Sequence, residues 1–334
     1  MCITFDLEIM NTIFTVDVEG HIGKDPVRRL IYGETAQGQL CGIDMLMDML
    51  DSHSIRGLFF VDIAEAWDYG KEPISKIIRH IHDRGHDVGV HIHPDHMADR
   101  KRLFLGEYTR SEQYEIISRC TDFYSETLFE QPVAFRAGKY GANWDTLEIL
   151  SELNYKADFS QFLGQKWCRI NPPCAKVNVR RLENGLLEVP VTTFISFDCG
   201  LYSRIDKVDA EQYLGEFKKV YNGLEKNGNN IMVLFAHSFS FLNWRKNPDL
   251  PVFSKHDFNK LNEQLNYICS DDRKGNYTNL RQLIETFSGI QSSDIDSETL
   301  YKQKGISQFL WFCMRAIEVL KSRSDIKYRN RHSK

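Results

Sequence analysis

The chain has 334 residues, a formal net charge of -4, 42% hydrophobic residues and 26% charged residues. That length holds one large α/β barrel or two ordinary domains, with apolar side chains enough for a sizeable soluble core. The slightly negative balance excludes the global basic field of a nucleic-acid binder.

Ile13, Phe14 and Val16, ahead of the acids Asp17 and Glu19, predict a first strand. Residues 40–52 carry apolar positions at helical spacing, and Gly57 to Val61 forms a continuous apolar strand. The stretch 73–84 opens on proline, repeats apolar residues every three or four positions, and stops at Gly85, as helices do. Asp87 to His93 reads as a third strand. A helix over 111–130, a strand from Val133 to Arg136, a helix over 144–153 and a short strand over 156–158 follow. An irregular β-rich stretch covers 177–198. A helix is then predicted over 208–226, a buried strand from Ile231 to Phe235, and helices over 256–270 and 277–287. Strands alternating with helices predict a mostly parallel sheet, open or closed into a distorted (β/α) barrel, over 11–287.

Residues 288–334 differ in character. A polar, serine-rich linker leads to the apolar stretch Phe309 to Leu320 and a basic tail with Lys321, Arg323, Lys327, Arg329, Arg331 and Lys334. The simpler expectation is a C-terminal helix packed on the barrel with a frayed end. A peripheral membrane contact through that helix is the alternative.

The eight cysteines, at 2, 41, 120, 168, 174, 199, 269 and 313, form no CxxC pair and suit a reduced compartment. The first residues show no basic segment leading into a long apolar run, and no segment has the apolar length of a membrane span. A cytoplasmic location is the expectation.

In parallel α/β folds, functional groups collect at the carboxyl ends of strands. Here those ends carry Asp17 and Glu19, His91 and His93, Arg136, Asp158 and His237. His91 and His93 lie two apart on a strand and therefore share a face, as do Asp17 and Glu19. Imidazoles beside carboxylates suit a divalent ion, Zn²⁺ first. Two carboxylates there can divide labour, one binding metal and one taking a proton from water. Asp95 and His96 follow directly and are alternative ligands. His80 and His82, mid-helix, read as surface or packing residues. The pair Asp6 and Glu8 repeats the first acidic motif, but the second copy ends the full-length strand. A buried Arg136 requires a carboxylate partner, for which Asp17 is the candidate. His237 ends the most apolar strand of the chain, where a barrel presents a general acid, and Asp158 is expected to orient it.

With these residues in hand, the chain resembles the NodB-type polysaccharide deacetylases, carbohydrate esterase family 4, in motif order over roughly 12–240. The strongest stretch is GLFFVD followed by RHIHDRGHDVGVHIHPDH; TVDVEG, FRAGKY, ADFS and VLFAH complete the order. The resemblance implies a metal-dependent hydrolase of a linear amide, an N-deacetylase of an N-acetylated sugar in surface-polysaccharide or glycoconjugate biosynthesis. Asp17 would be the catalytic base, held by Arg136, and Glu19, His91 and His93 the metal ligands. The backbone N–H near Tyr140 would stabilise the oxyanion, and His237, oriented by Asp158, would protonate the leaving amine. Two departures mark a divergent branch. The family's histidines stand four residues apart, whereas the position four after His91 is Asp95, and Glu19 replaces an aspartate. The sugar could be nucleotide- or lipid-linked, with Lys24, Arg28 and Arg29 reading as a solvated loop or a phosphate contact. Another amide on the same fold, or an inactive glycan- or partner-binding barrel, are the alternatives.

Overall fold

A computed structural model describes residues 10–20, 23–171, 176–245, 247–270, 277–287, 289 and 299–303. The acidic pair Asp6 and Glu8, the apolar stretch 309–320 and the basic tail lie outside the described residues.

The first half of the chain alternates as expected: β1 (Asn11–Val18), α1 (Ile43–Ser52), β2 (Leu58–Asp62), α2 (Ala66–Tyr69), α3 (Lys71–Asp83), β3 (Asp87–Ile92), α4 (Arg110–Leu128), β4 (Ala134–Ala137), α5 (Trp144–Glu152) and β5 (Ala157–Asp158). Short strands β6 (Arg180–Arg181) and β7 (Leu187–Glu188) and the pair β8 (Thr193–Asp198) and β9 (Ser203–Lys207) follow. Then come α6 (Leu214–Lys226), β10 (Ile231–His237), β11 (Leu242–Asn243), β12 (Val252–Phe253), α7 (Lys255–Ile268) and α8 (Leu280–Phe287). Local chemistry sets the ends. Thr109 and Glu112 cap α4 reciprocally, the Thr109 hydroxyl accepting from the Glu112 N–H and the Glu112 carboxylate from the Thr109 N–H. Beyond α3, Gly85 takes a φ of +84° that a side chain would oppose.

Eight strands form one sheet in the order β10, β1, β2, β3, β4, β5, β7, β6, parallel throughout except for the last pair. Both faces are covered, which is why the strands read as unbroken apolar runs. Ile13, Leu58, Phe60, Ala134, Ala157, Phe159, Ile231 and Val233 meet in the barrel interior, plugged by Leu280, Leu283 and Phe287 of α8. Their strand neighbours Phe14, Val16, Phe59, Val61, Val90, Phe135, Met232 and Leu234 belong to the larger core under the outer helices.

The barrel does not close by strand pairing between β10 and β6. Instead, side chains and loops satisfy the outer edge of β10, as a buried edge requires. The Asn230 N–H donates to Asn178 Oδ1 at 2.8 Å, the Val233 N–H to Thr192 Oγ1 at 2.8 Å, and the Ala210 N–H to the Phe235 carbonyl at 2.8 Å. This seam corrects the helix expected over 208–226. Residues 208–213 run along the β10 edge, with Asp209 bridged to Phe235, and α6 starts only at Leu214. Residues 299–303 are likewise part of the packed structure. The Ile195 N–H donates to the Tyr301 carbonyl, the Gln303 N–H donates to the Ile195 carbonyl, and the Tyr301 ring fills the space beside Gly223. No described helix is long and apolar enough to cross a membrane.

Candidate metal centre and catalytic site

The pleat of β1 sends Ile13, Thr15 and Asp17 to the interior, and Glu19 continues the alternation just beyond the strand end. Register then brings the polar groups together: Asp17 lies opposite His237 on β10, and His91 on β3 lies opposite Asp62 on one side and Arg136 on the other.

Glu19 is the hub. Its Oε2 lies 2.8 Å from His93 Nε2 and 3.5 Å from His91 Nε2, and its Oε1 lies 3.5 Å from His237 Nε2. One ligand atom from each of Glu19, His91 and His93 falls within 4.8 Å of the others, and all three residues are buried. The tautomer suits coordination: His91 Nδ1 donates to the Arg136 carbonyl at 2.8 Å, so neutral His91 turns its Nε2 lone pair toward Glu19. A carboxylate with two imidazoles is a borderline-soft donor set of the kind that holds Zn²⁺ and similar ions. Burial works against a charged His91, but Asp17 and Glu19 outweigh it and raise the imidazole to about 9. A negative pocket of this kind draws in a cation. Gly138 makes room for the site, because a Cβ there would stand 2.8 Å from the His93 ring and 2.7 Å from the Ile92 carbonyl.

Asp17 is bound by Arg136, whose Nη1 donates to Asp17 Oδ1 at 2.6 Å while Nη2 donates to Thr15 Oγ1 at 3.1 Å. Arg136 has no exposed surface, and its guanidinium lies 4.3 Å from the centre of the Phe60 ring. The Asp17–Arg136 pairing anticipated from the sequence is therefore present. Tyr140 closes the site from the loop after β4. Lys139 and Tyr140 both adopt left-handed φ, 53° and 59°, a costly backbone for two successive non-glycine residues that recurs at functional turns. The Tyr140 hydroxyl is buried without a hydrogen-bond partner, and burial pushes its pKa well up. His237, with 28% of its side chain exposed, is the accessible member, stacked on Phe239 with ring centres 4.7 Å apart.

Asp158 does not join them. Ala157 and Phe159 point into the interior, so Asp158 points outward, where its carboxylate accepts from the Ser160 hydroxyl at 2.6 Å and the Ser160 N–H at 3.1 Å. Glu188, its register partner on β7, and Arg180 complete a separate buried cluster. Asp158, expected to orient His237, is instead engaged by Ser160 and Glu188 on the outer side of the strand. Asp95 stays outside both groupings, and His96 belongs to a second cluster with Asp62 and Glu65. His80 bonds Asp44 at 2.6 Å on the surface of α3, and His82 is 44% exposed, as packing or surface residues should be. Lys24 donates its backbone N–H to Asp249, and Arg28 pairs with Glu34. One residue went unnoticed in the sequence: Lys207, at the end of β9, places its Nζ 3.3 Å from the centre of the Phe235 ring. Burial lowers its pKa against the pull of Asp209 and Asp17.

Residues 37–157 match the family model for polysaccharide deacetylase. Among functionally curated proteins, none matches this chain in sequence. Solved structures with a similar fold include a Mycobacterium smegmatis protein assigned as a polysaccharide deacetylase, 19% identical with a TM-score of 0.56, the match covering 90% of this chain and 96% of that one. The Puue allantoinase is 11% identical with a TM-score of 0.54, covering 84% and 90%. A Pseudomonas aeruginosa protein likewise assigned as a polysaccharide deacetylase is 12% identical with a TM-score of 0.53, covering 84% and 91%. The motifs in order, the incompletely closed parallel barrel and the matched segment 37–157 give the chain a NodB-like deacetylase fold and support kinship with the polysaccharide deacetylases of carbohydrate esterase family 4.

Proposed function

We propose that the protein is a metal-dependent N-deacetylase that hydrolyses the acyl amide of an N-acetylated sugar. The observation that carries this reading is the convergence of Glu19, His91 and His93 on one point, with the Asp17–Arg136 pair and His237 around it. A divalent ion held by the three ligands, zinc by donor chemistry, would polarise the acyl carbonyl and acidify a bound water. Asp17 takes the proton of the attacking water, and Arg136 fixes the carboxylate and balances its charge. The turn at Tyr140 presents backbone N–H groups to the oxyanion. His237, the exposed imidazole at the mouth, gives a proton to the departing amine. We place the substrate among nucleotide- or lipid-linked N-acetylated sugars of surface-polysaccharide or glycoconjugate biosynthesis. The five described cysteines are free thiols, which suits the cytoplasmic location proposed with it.

The test is acetate release from N-acetylated sugars, free, nucleotide-linked and lipid-linked, by zinc-loaded and chelated protein. A non-sugar amide belongs in the same panel. Loaded protein should release acetate, chelated protein should not, and Asp17→Asn should lower the rate by roughly 10²–10⁴-fold. Turnover by Asp17→Asn at the wild-type rate would remove Asp17 from its role.

A further inference from the structure

We propose a second divalent-cation site, built from Asp62, Glu65 and His96 and separate from the Glu19–His91–His93 centre. One ligand atom from each of the three lies within 4.8 Å of the others. Asp62 and Glu65 are 0% and 1% exposed, yet Asp62 Oδ2 and Glu65 Oε2 accept no hydrogen bond. The opposite oxygens are fully engaged. Asp62 Oδ1 accepts from the N–H groups of Ala64 at 3.1 Å and His93 at 3.2 Å, and Glu65 Oε1 accepts from the Gly20 N–H at 2.5 Å. Each carboxylate is therefore oriented by backbone donors so that one buried oxygen is left over, and an unsatisfied buried carboxylate oxygen is costly unless a cation meets it.

His96 supplies the third ligand in the right tautomer. Its Nδ1 lies 2.7 Å from Asp68 Oδ2, and its Nε2 lies 3.9 Å from the spare Asp62 Oδ2. A carboxylate behind the far ring nitrogen is the arrangement that orients metal-binding histidines. Asp68 is in turn fixed by Arg100 at 2.7 Å. Ligands on opposite sides of an ion at ~2.1 Å stand about 4 Å apart, so the cluster needs only a small contraction to close on it. Two carboxylate oxygens and one imidazole suit Zn²⁺, Mn²⁺ or Fe²⁺. The three residues come from the end of β2, the turn after it and the turn after β3. Through Gly20 and the His93 N–H, an ion there would brace the segments that carry Glu19 and His93.

The test is metal content of the full-length protein after chelation, reloading with zinc or manganese, and desalting. It is run on wild type, His96→Gln, Glu65→Gln and His93→Ala, with circular dichroism to show that each is folded. Two ions per chain in wild type, and one in each variant, is the expected result. One ion in wild type, lost in His93→Ala and retained in His96→Gln, overturns the inference and leaves a protonated carboxyl pair as the occupant. Two ions kept in both His96→Gln and Glu65→Gln overturns it as well. One ion lost in His96→Gln but not in His93→Ala would instead sink the first centre and uphold this one.

Discussion

Replacing Arg136 by methionine tests the electrostatic frame of the site without leaving a hole. The guanidinium is wholly buried, and it neutralises Asp17, which is 5% exposed. Removing one partner of such a pair strands the other charge, at a cost of about 3–5 kcal/mol. The lost bond to Thr15 and the ring contact with Phe60 add to the same side. Asp17→Asn removes the opposite charge and should also destabilise. The double variant Asp17→Asn with Arg136→Met has no stranded charge, so it should be more stable than the sum of the single losses implies, by roughly 1–3 kcal/mol. Urea unfolding of the four proteins at one pH reads these differences directly, provided the denaturant slope is unchanged. A loss below about 1 kcal/mol in Arg136→Met, with strict additivity in the double variant, would refute the claim that this pair is coupled in the interior.

Other perturbations follow from named contacts. Gly138→Ala places a methyl group 2.8 Å from the His93 ring. It should weaken metal binding about 10–100-fold, as disturbance behind a ligand commonly does, and titration calorimetry would show unchanged affinity if His93 is not a ligand. Burial raises Asp158 from 3.8 to about 6 despite the Ser160 hydrogen bonds, and holds Glu188 well above the ordinary carboxylate range. A raised carboxyl favours folding below its unfolded value, and that contribution is lost as pH rises through the folded value. Wild type should therefore lose up to about 3 kcal/mol between pH 4 and pH 7 from this group, and Asp158→Asn should lose correspondingly less. Equal losses in urea midpoints for the two proteins would show that Asp158 does not titrate this way.

The parts of the site that were legible in the sequence are those set by strand alternation. Asp17 and Glu19, and His91 and His93, had to share faces because alternate residues of a strand do, and register carried both pairs to one end of the barrel. Arg136 was legible because a buried cation needs a carboxylate. Asp158 misled because its strand is two residues long, too short to show which way it faces; its neighbours Ala157 and Phe159 take the interior. The helix expected over 208–226 began late because residues 208–213 satisfy the open edge of β10, a tertiary demand that apolar spacing does not reveal. Lys207 escaped for a similar reason, sitting on a hairpin whose partner strand was read only as irregular β structure. The Asp62, Glu65 and His96 cluster joins the end of β2 and the turn after it to the turn after β3, and no spacing in the sequence announces that meeting.

The central claim is that Glu19, His91 and His93 hold a divalent ion. It is tested most directly by anomalous scattering from crystals grown with zinc, measured on both sides of the zinc edge. A zinc peak is expected at bonding distance from Glu19 and from the Nε2 atoms of His91 and His93. Clear density for the three side chains with no zinc peak between them, at saturating zinc and neutral pH, would contradict it.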